Sequence, residues 1–131
     1  GQPVVPPSPP SVVVNTRAFT VLVRNELWRR VQLAALERDA ELEALDADID
    51  WPGVLDDYFD EYDDILVDAA ARSPQFCRID TARQQAGFWD AEQTIVDERG
   101  DHAWRIRAEV DLAASAEAGE AAVRVTEVVR L

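Results

Sequence analysis

From Trp104 to its last residue the chain reads WRIRAEVDLAASAEAGEAAVRVTEVVRL. Trp104, Ile106, Ala108, Val110 and Leu112 alternate there with Arg105, Arg107, Glu109 and Asp111, the period of a strand with one face buried and the other wet. Such a strand demands an apolar layer to pack on. Ala121, Val123, Val125, Val129 and Leu131 form a matching set, interrupted only by Glu127. With Ala116 to Gly119 as a four-residue connection and Gly119 supplying a positive φ, the pattern predicts a hairpin. Ser115 then faces Glu120. Leu112 pairs with Val123, Val110 with Val125, Ile106 with Val129 and Trp104 with Leu131 on the buried face, and Asp111 pairs with Arg124 on the wet face. The charge pair contributes about 0.2–1 kcal/mol. A slip of one residue would turn the valines outward, so the register is strongly specified.

Upstream, apolar residues recur at helical spacing. Phe19, Leu22, Val23, Leu27, Val31, Ala34 and Ala35, then Leu42 and Leu45, predict a long first helix starting at an Asn15 or Thr16 cap, with an interruption near Asp39. Asp46 to Asp50 reads as a loop, and Pro52 suits a first helical turn. A second helix is expected from Trp51 to Ala71, with Leu55, Tyr58, Phe59, Tyr62, Ile65 and Leu66 inward and Asp56, Asp57, Asp60, Glu61, Asp63 and Asp64 outward. Ser73-Pro74 closes it. Phe76 to Asp80, Gly87 to Glu98, Ala103 to Ala114 and Glu120 to Leu131 have strand character. The fold class is α+β: two N-terminal helices packed on a curved antiparallel sheet of about four strands.

The first 14 residues, GQPVVPPSPPSVVV, hold Pro3, Pro6, Pro7, Pro9 and Pro10 and read as a semi-rigid linker. A single domain is expected over residues 15–131, and the initial Gly points to a piece of a longer protein. Thirteen Lys and Arg, all of them arginine, stand against 26 acids, a formal charge of -13. Phosphates are repelled on average, so direct nucleic-acid binding is not expected. One cysteine, Cys77, excludes an intrachain disulfide. Lacking an apolar run long enough to span a membrane and a leader pattern, the chain is expected to be cytoplasmic.

No motif carries obvious chemistry. DADIDWPGVLDD, from Asp46, places acids at alternate positions like a calcium loop, but Trp51 stands where such a loop needs Gly and Asp57 where it needs Glu. DDYFDEYDD reads as a solvated helix face. His102 beside Asp101 lacks a nucleophile and is expected to bond turn backbone through its imidazole. Cys77 reads as a buried small hydrophobe. No phosphate-binding GxxxxGK[ST] loop is present. Neither a cofactor, a metal nor a catalytic residue is expected. A ligand pocket, if formed, would be lined by Trp28, Tyr58, Tyr62 and Trp89. Arg17, Arg24, Arg29 and Arg30 form the one candidate basic contact patch, each a solvated residue or a partner of acidic neighbours.

RAFTVLVRNELWRRVQLAAL, LDDYFDEYDDI, GDHAWRIRAEVDLAASAEAGEAAVRVTEVVRL and the Pro-rich lead-in, in this order, resemble the C-terminal domain of unknown function of actinobacterial DEAD/DEAH-box superfamily II RNA helicases. The resemblance implies a parent that couples ATP hydrolysis to duplex unwinding through two motor domains, which would be this domain's partners. None of the motor motifs lies in this chain. Two functions are compatible with these features: a non-catalytic accessory domain that docks on, positions or regulates the motor, and a small ligand-binding or enzymatic α+β domain similar to the cone-shaped NTF2-like architecture.

Overall fold

Helix α1, Thr16–Ala35, begins where the Asn15 side chain accepts the Ala18 N–H at 3.1 Å, satisfying one of the free donors of the first turn. The structure, a computed structural model, describes residues 14–131; apart from Val14, the linker expected over residues 1–14 lies outside them. α1 stops at the chain reversal of Leu36 and Glu37, Glu37 having φ +52°. Helix α2, Asp39–Leu45, follows directly, so the expected interruption near Asp39 is a real break between two helices.

Asp50 caps helix α3, Trp51–Glu61, by accepting the Gly53 N–H at 3.2 Å, with Pro52 in the first turn. α3 does not continue to Ala71 as its apolar spacing suggested. Four carboxylates, Asp60, Glu61, Asp63 and Asp64, crowd its C-terminal end, where the helix dipole disfavours negative charge. The chain instead leaves in an extended conformation at Tyr62. The Glu98 carboxylate accepts the N–H groups of Asp63 at 2.8 Å and Asp64 at 3.2 Å, Ile65 bridges to Asp97, and the Leu66 N–H donates to the Val96 carbonyl at 2.8 Å. Backbone pairing with a distant strand end outcompetes the next helical turn.

Strands β1 (Cys77–Asp80), β2 (Phe88–Ile95), β3 (Trp104–Asp111) and β4 (Val123–Arg130) form one antiparallel sheet in the order β1-β2-β3-β4. Each row across the sheet shares a face, and the inner rows include Gln93–Ile106–Val128, Ala91–Ala108–Val125 and Trp89–Val110–Val123. Onto this face pack Phe19, Val23, Leu27 and Val31 of α1 and Trp51, Leu55 and Tyr58 of α3. Phe19 meets Trp89 with ring centroids 5.1 Å apart, and Tyr58 touches both Tyr62 and Trp104.

The terminal hairpin departs from its expected register for two reasons. The connection is not a four-residue turn but a fourth helix, α4, Leu112–Ala118. Asp111 caps it by accepting the Ala114 N–H at 2.9 Å, and Gly119 ends it at φ +72°. Ser115, fully buried, donates to the Asp111 carbonyl at 2.6 Å and accepts the Ala122 N–H at 2.9 Å, tying the helix across the strand ends. Val110 therefore pairs with Val123 and Glu109 with Arg124, in place of Val125 and of Asp111. The second departure is a bulge at Thr126: Ala108 pairs with Val125, but Arg107 pairs with Glu127. One extra residue reverses the parity of the rest of the strand. Val128 faces inward opposite Ile106, Val129 lies opposite Arg105 on the outer face, and Trp104 pairs with Arg130 where Leu131 was expected. Glu127, the single flaw in the apolar set, was the mark of the bulge. Val110 and Val125 do share the buried face, at 0 % and 1 % exposure.

At the β4 edge sits a group that periodicity placed outside. Arg30 is 2 % exposed. Its guanidinium grips Asp46 with Nε–Oδ2 at 2.7 Å and Nη2–Oδ1 at 3.3 Å, and donates to the Val123 carbonyl at 3.2 Å and to Glu26 Oε2 at 3.1 Å. Asp46 Oδ1 in turn accepts the Val125 N–H at 3.0 Å. Removing one partner of such a pair strands the other in a low dielectric, at about 3–5 kcal/mol. Against a total stability of about 5–15 kcal/mol, Asp46→Ala should remove much of the stability, whereas Glu41→Ala, which breaks the exposed Arg38–Glu41 pair, should cost under about 1 kcal/mol. Val125→Asp, burying a charge with no partner, should abolish cooperative unfolding. Chemical denaturation midpoints read all three; an Asp46→Ala variant as stable as Glu41→Ala would refute the assignment.

Candidate functional site

The outer face of the sheet is a lattice of charges of both signs. One row runs Arg78, Glu92, Arg107, Glu127 across the strands, and the next runs Asp80, Asp90, Glu109, Arg124. Arg107 bonds Glu92 and Glu127, each at 2.9 Å, and Arg83, from the turn before β2, bonds Asp90 at 2.6 Å and Glu109 at 2.5 Å. Arg124 reaches Glu109 at 2.5 Å. The Arg83 guanidinium, acting with Arg124 at Glu109, holds the carboxyls of Asp90 and Glu109 below their usual range. An open groove of about 300 Å³ crosses this lattice, lined by both signs. Asp90, Glu92, Arg107 and Glu127 of this groove are held in ion pairs, which suits a solvated face more than a binding surface.

The helical side is different. Asp56, Asp57 and Asp60 of α3, with Asp63 and Asp64 just beyond it, are all exposed. None of the five forms an ion pair among the described residues. By contrast Arg30, Arg38, Arg83, Arg105, Arg107, Arg124 and Arg130 are all held by carboxylates. The α3 ridge is thus one stretch of the surface where acidic charge goes uncompensated among the described residues.

A third feature is a cleft of about 110 Å³ between α1 and β1. Arg24, Asn25 and Trp28 line it from α1, Arg72 from the turn before β1, Cys77 from β1 and Gln93 from β2, with Val21 at the rim. The Arg72 guanidinium lies over the Trp28 ring at 5.7 Å and donates to Asn25 Oδ1 at 3.1 Å. Arg24 Nε is buried without a hydrogen-bond partner. Burial pushes the Cys77 thiol up, with Arg24 opposing that shift.

The expected sites are redistributed. Of Trp28, Tyr58, Tyr62 and Trp89, only Trp28 lines a described cleft. Trp89 packs on Phe19 and donates from Nε1 to Gln84 at 2.9 Å. Tyr58 and Tyr62 lie in the core with their hydroxyls spent on the Asp64 carbonyl at 2.6 Å and Asp101 Oδ2 at 2.8 Å. Burial, reinforced by neighbouring carboxylates, pushes both phenols upward, so they act as donors. Arg17 and Arg29 are exposed, Arg24 belongs to the cleft, and Arg30 is withdrawn into the core, so the four form no continuous patch. Arg72, Cys77 and Gln93 carry no sequence signal of a site, because each is unremarkable beside its own neighbours. His102 does not use its imidazole on the turn; the His102 main-chain N–H donates to Asp97 Oδ1 at 2.8 Å and the ring meets Phe76 edge-on at 4.9 Å. Among the described residues no group of acids, His or Cys is arranged to hold a metal, and no helix is long and apolar enough to cross a membrane.

Residues 2–128 match the family described as Domain of unknown function (DUF3516). No curated protein and no solved structure matches the chain.

Burial works against the charge of Asp97, yet the main-chain N–H groups of Asp101, His102, Asp97 itself and Arg99 together hold its carboxyl below the usual range. Main-chain donors, Asp63 first, lower Glu98 likewise. Each folded value lies below the unfolded one, so their contribution is complete above about pH 5 and is lost as pH falls through the folded values. Stability should hold from neutral pH to about pH 5 and decline below about pH 4. Asp97→Asn should lower the plateau and flatten the acid limb. Denaturation midpoints against pH test this, and an unchanged acid limb in Asp97→Asn would assign the acid loss elsewhere.

Proposed function

This chain belongs to the DUF3516 family of domains of unknown function, and from its charge distribution and the helicase resemblance of its sequence we propose that it is a non-catalytic accessory domain of an ATP-dependent DEAD/DEAH-box RNA helicase, docking on the motor. The observation that carries the reading is the α3 ridge: Asp56, Asp57, Asp60, Asp63 and Asp64 face solvent with no ion pair among the described residues, while most arginines are consumed internally. A surface of that kind repels a nucleic-acid backbone and complements a basic protein face. A motor that tracks along a polyanion presents such a face. Docking through α3 would position the domain beside the nucleic-acid path without touching the strand. The ligand-binding alternative has less support, because all four of its aromatic residues are buried in the core, with only Trp28 also lining a described cleft, and that cleft is smaller than the roughly 300–1,000 Å³ typical of organic-ligand sites.

Two measurements test the proposal. The chain should bind the motor portion of its parent saturably, with affinity that falls as salt rises and is largely lost in the Asp56→Asn, Asp57→Asn, Asp60→Asn triple variant. The chain alone should show neither ATP turnover nor RNA binding at physiological salt. Saturable ATP hydrolysis by the chain, micromolar RNA binding with a steep salt slope, or motor binding indifferent to the triple variant would each overturn it.

A further inference from the structure

We propose that the cleft between α1 and β1 binds a single oxyanion group, a carboxylate or a phosphate, between the guanidinium groups of Arg24 and Arg72. This site is independent of the helicase reading and shares no residue with the α3 ridge.

Acids outnumber arginines two to one, 26 against 13, so an arginine beside a cleft has an abundance of carboxylates to pair with. Arg24 and Arg72 have none: neither forms an ion pair among the described residues, and no Asp or Glu lines the cleft they share. The groove on the outer sheet face shows the contrast, since Asp80, Asp90, Glu92 and Glu127 stand there beside Arg78 and Arg107.

The hydrogen-bond count points the same way. Arg24 Nε is buried out of reach of the cleft and has no partner within the chain, and the neighbour that the Arg24 side chain does engage is the Cys77 thiol, so the guanidinium charge at the cleft meets no carboxylate. Arg72 is held above Trp28 by its contact with the ring and by Asn25, which places a second guanidinium on the same opening at reduced conformational cost. Cys77, kept as a neutral thiol by burial, supplies no internal anion. Gln93, 2 % exposed, adds a polar wall, its Nε2 donating to the Thr94 carbonyl at 3.1 Å.

Size selects the ligand class. A volume of about 110 Å³ corresponds to roughly three to four water molecules. That admits one carboxylate or phosphate group and excludes a whole nucleotide. Guanidinium forks favour both groups through charge-assisted bonds.

The test follows thermal unfolding and tryptophan emission of the chain during titration with sodium phosphate and, separately, sodium acetate, each against sodium chloride at matched ionic strength. The expected result is a saturable rise in melting temperature with at least one oxyanion. It should be lost in Arg24→Gln and in Arg72→Gln and kept in Arg29→Gln, an exposed neighbour on the same helix. A response to phosphate alone identifies a phosphate site, to acetate alone a carboxylate site, and to both a general oxyanion site. Because Arg72 is exposed, its variant folds even if Arg24→Gln does not. Absence of a saturable response to either anion, or one reproduced by chloride or retained in Arg72→Gln, would overturn the proposal.

Discussion

A buried ion pair, Arg30 with Asp46, holds the two layers of this domain in register. Both side chains are almost wholly withdrawn from water, a placement whose desolvation cost can exceed the Coulomb gain. It is sustained because the remaining donors and acceptors are also used. Arg30 reaches the Val123 carbonyl and Glu26, and Asp46 accepts the Val125 N–H. One cluster thus joins α1, the loop after α2 and the edge of β4. An edge strand exposes unpaired backbone groups that can recruit another chain. Here the edge at Val123 and Val125 is occupied by side chains of the same molecule.

The bulge immediately after this clamp divides β4 into two parities. Before it, Val123 and Val125 face the helices; beyond it, Val128 does, and Glu127 turns outward to meet Arg107. Because residue alternation in a strand is strict, an unbulged β4 would drive Glu127 into the core. The extra residue reconciles the apolar demand of the inner face with the charge lattice of the outer one.

Charge then separates by surface. The sheet exterior neutralises itself, the α3 ridge retains its carboxylates, and the Trp28 cleft retains two arginines without an acid. Net charge alone describes none of the three. The ridge carries the docking proposal because its acidic charge is uncompensated among the described residues, and the cleft carries a separate one because its sign is opposite to that of the molecule. A uniformly acidic chain would be expected to fill that cleft with its own carboxylates, and the lining residues show that it does not.

Local patterns determined much of this. The α+β class, the start of α1, the break near Asp39, the loop before Trp51 and four strands are legible in period and capping residues, since each depends on neighbours within a few positions. Other local signals were present but outweighed by a competing one. Asp111 and Gly119 flank a helix-forming LAASAEA segment, yet the continuing apolar alternation argued for a turn. The carboxylates at the end of α3 opposed further helix, yet the apolar spacing ran on through Leu66. What tertiary structure alone decided were relations between distant residues: Arg30 with Asp46 and β4, Glu98 with Asp63, and Arg24 with Arg72, Cys77 and Gln93. Periodicity tells which side of an element a residue occupies. Whether that side meets water, a carboxylate or another strand is set when the layers close, and a polar side chain gains or loses its partners only then.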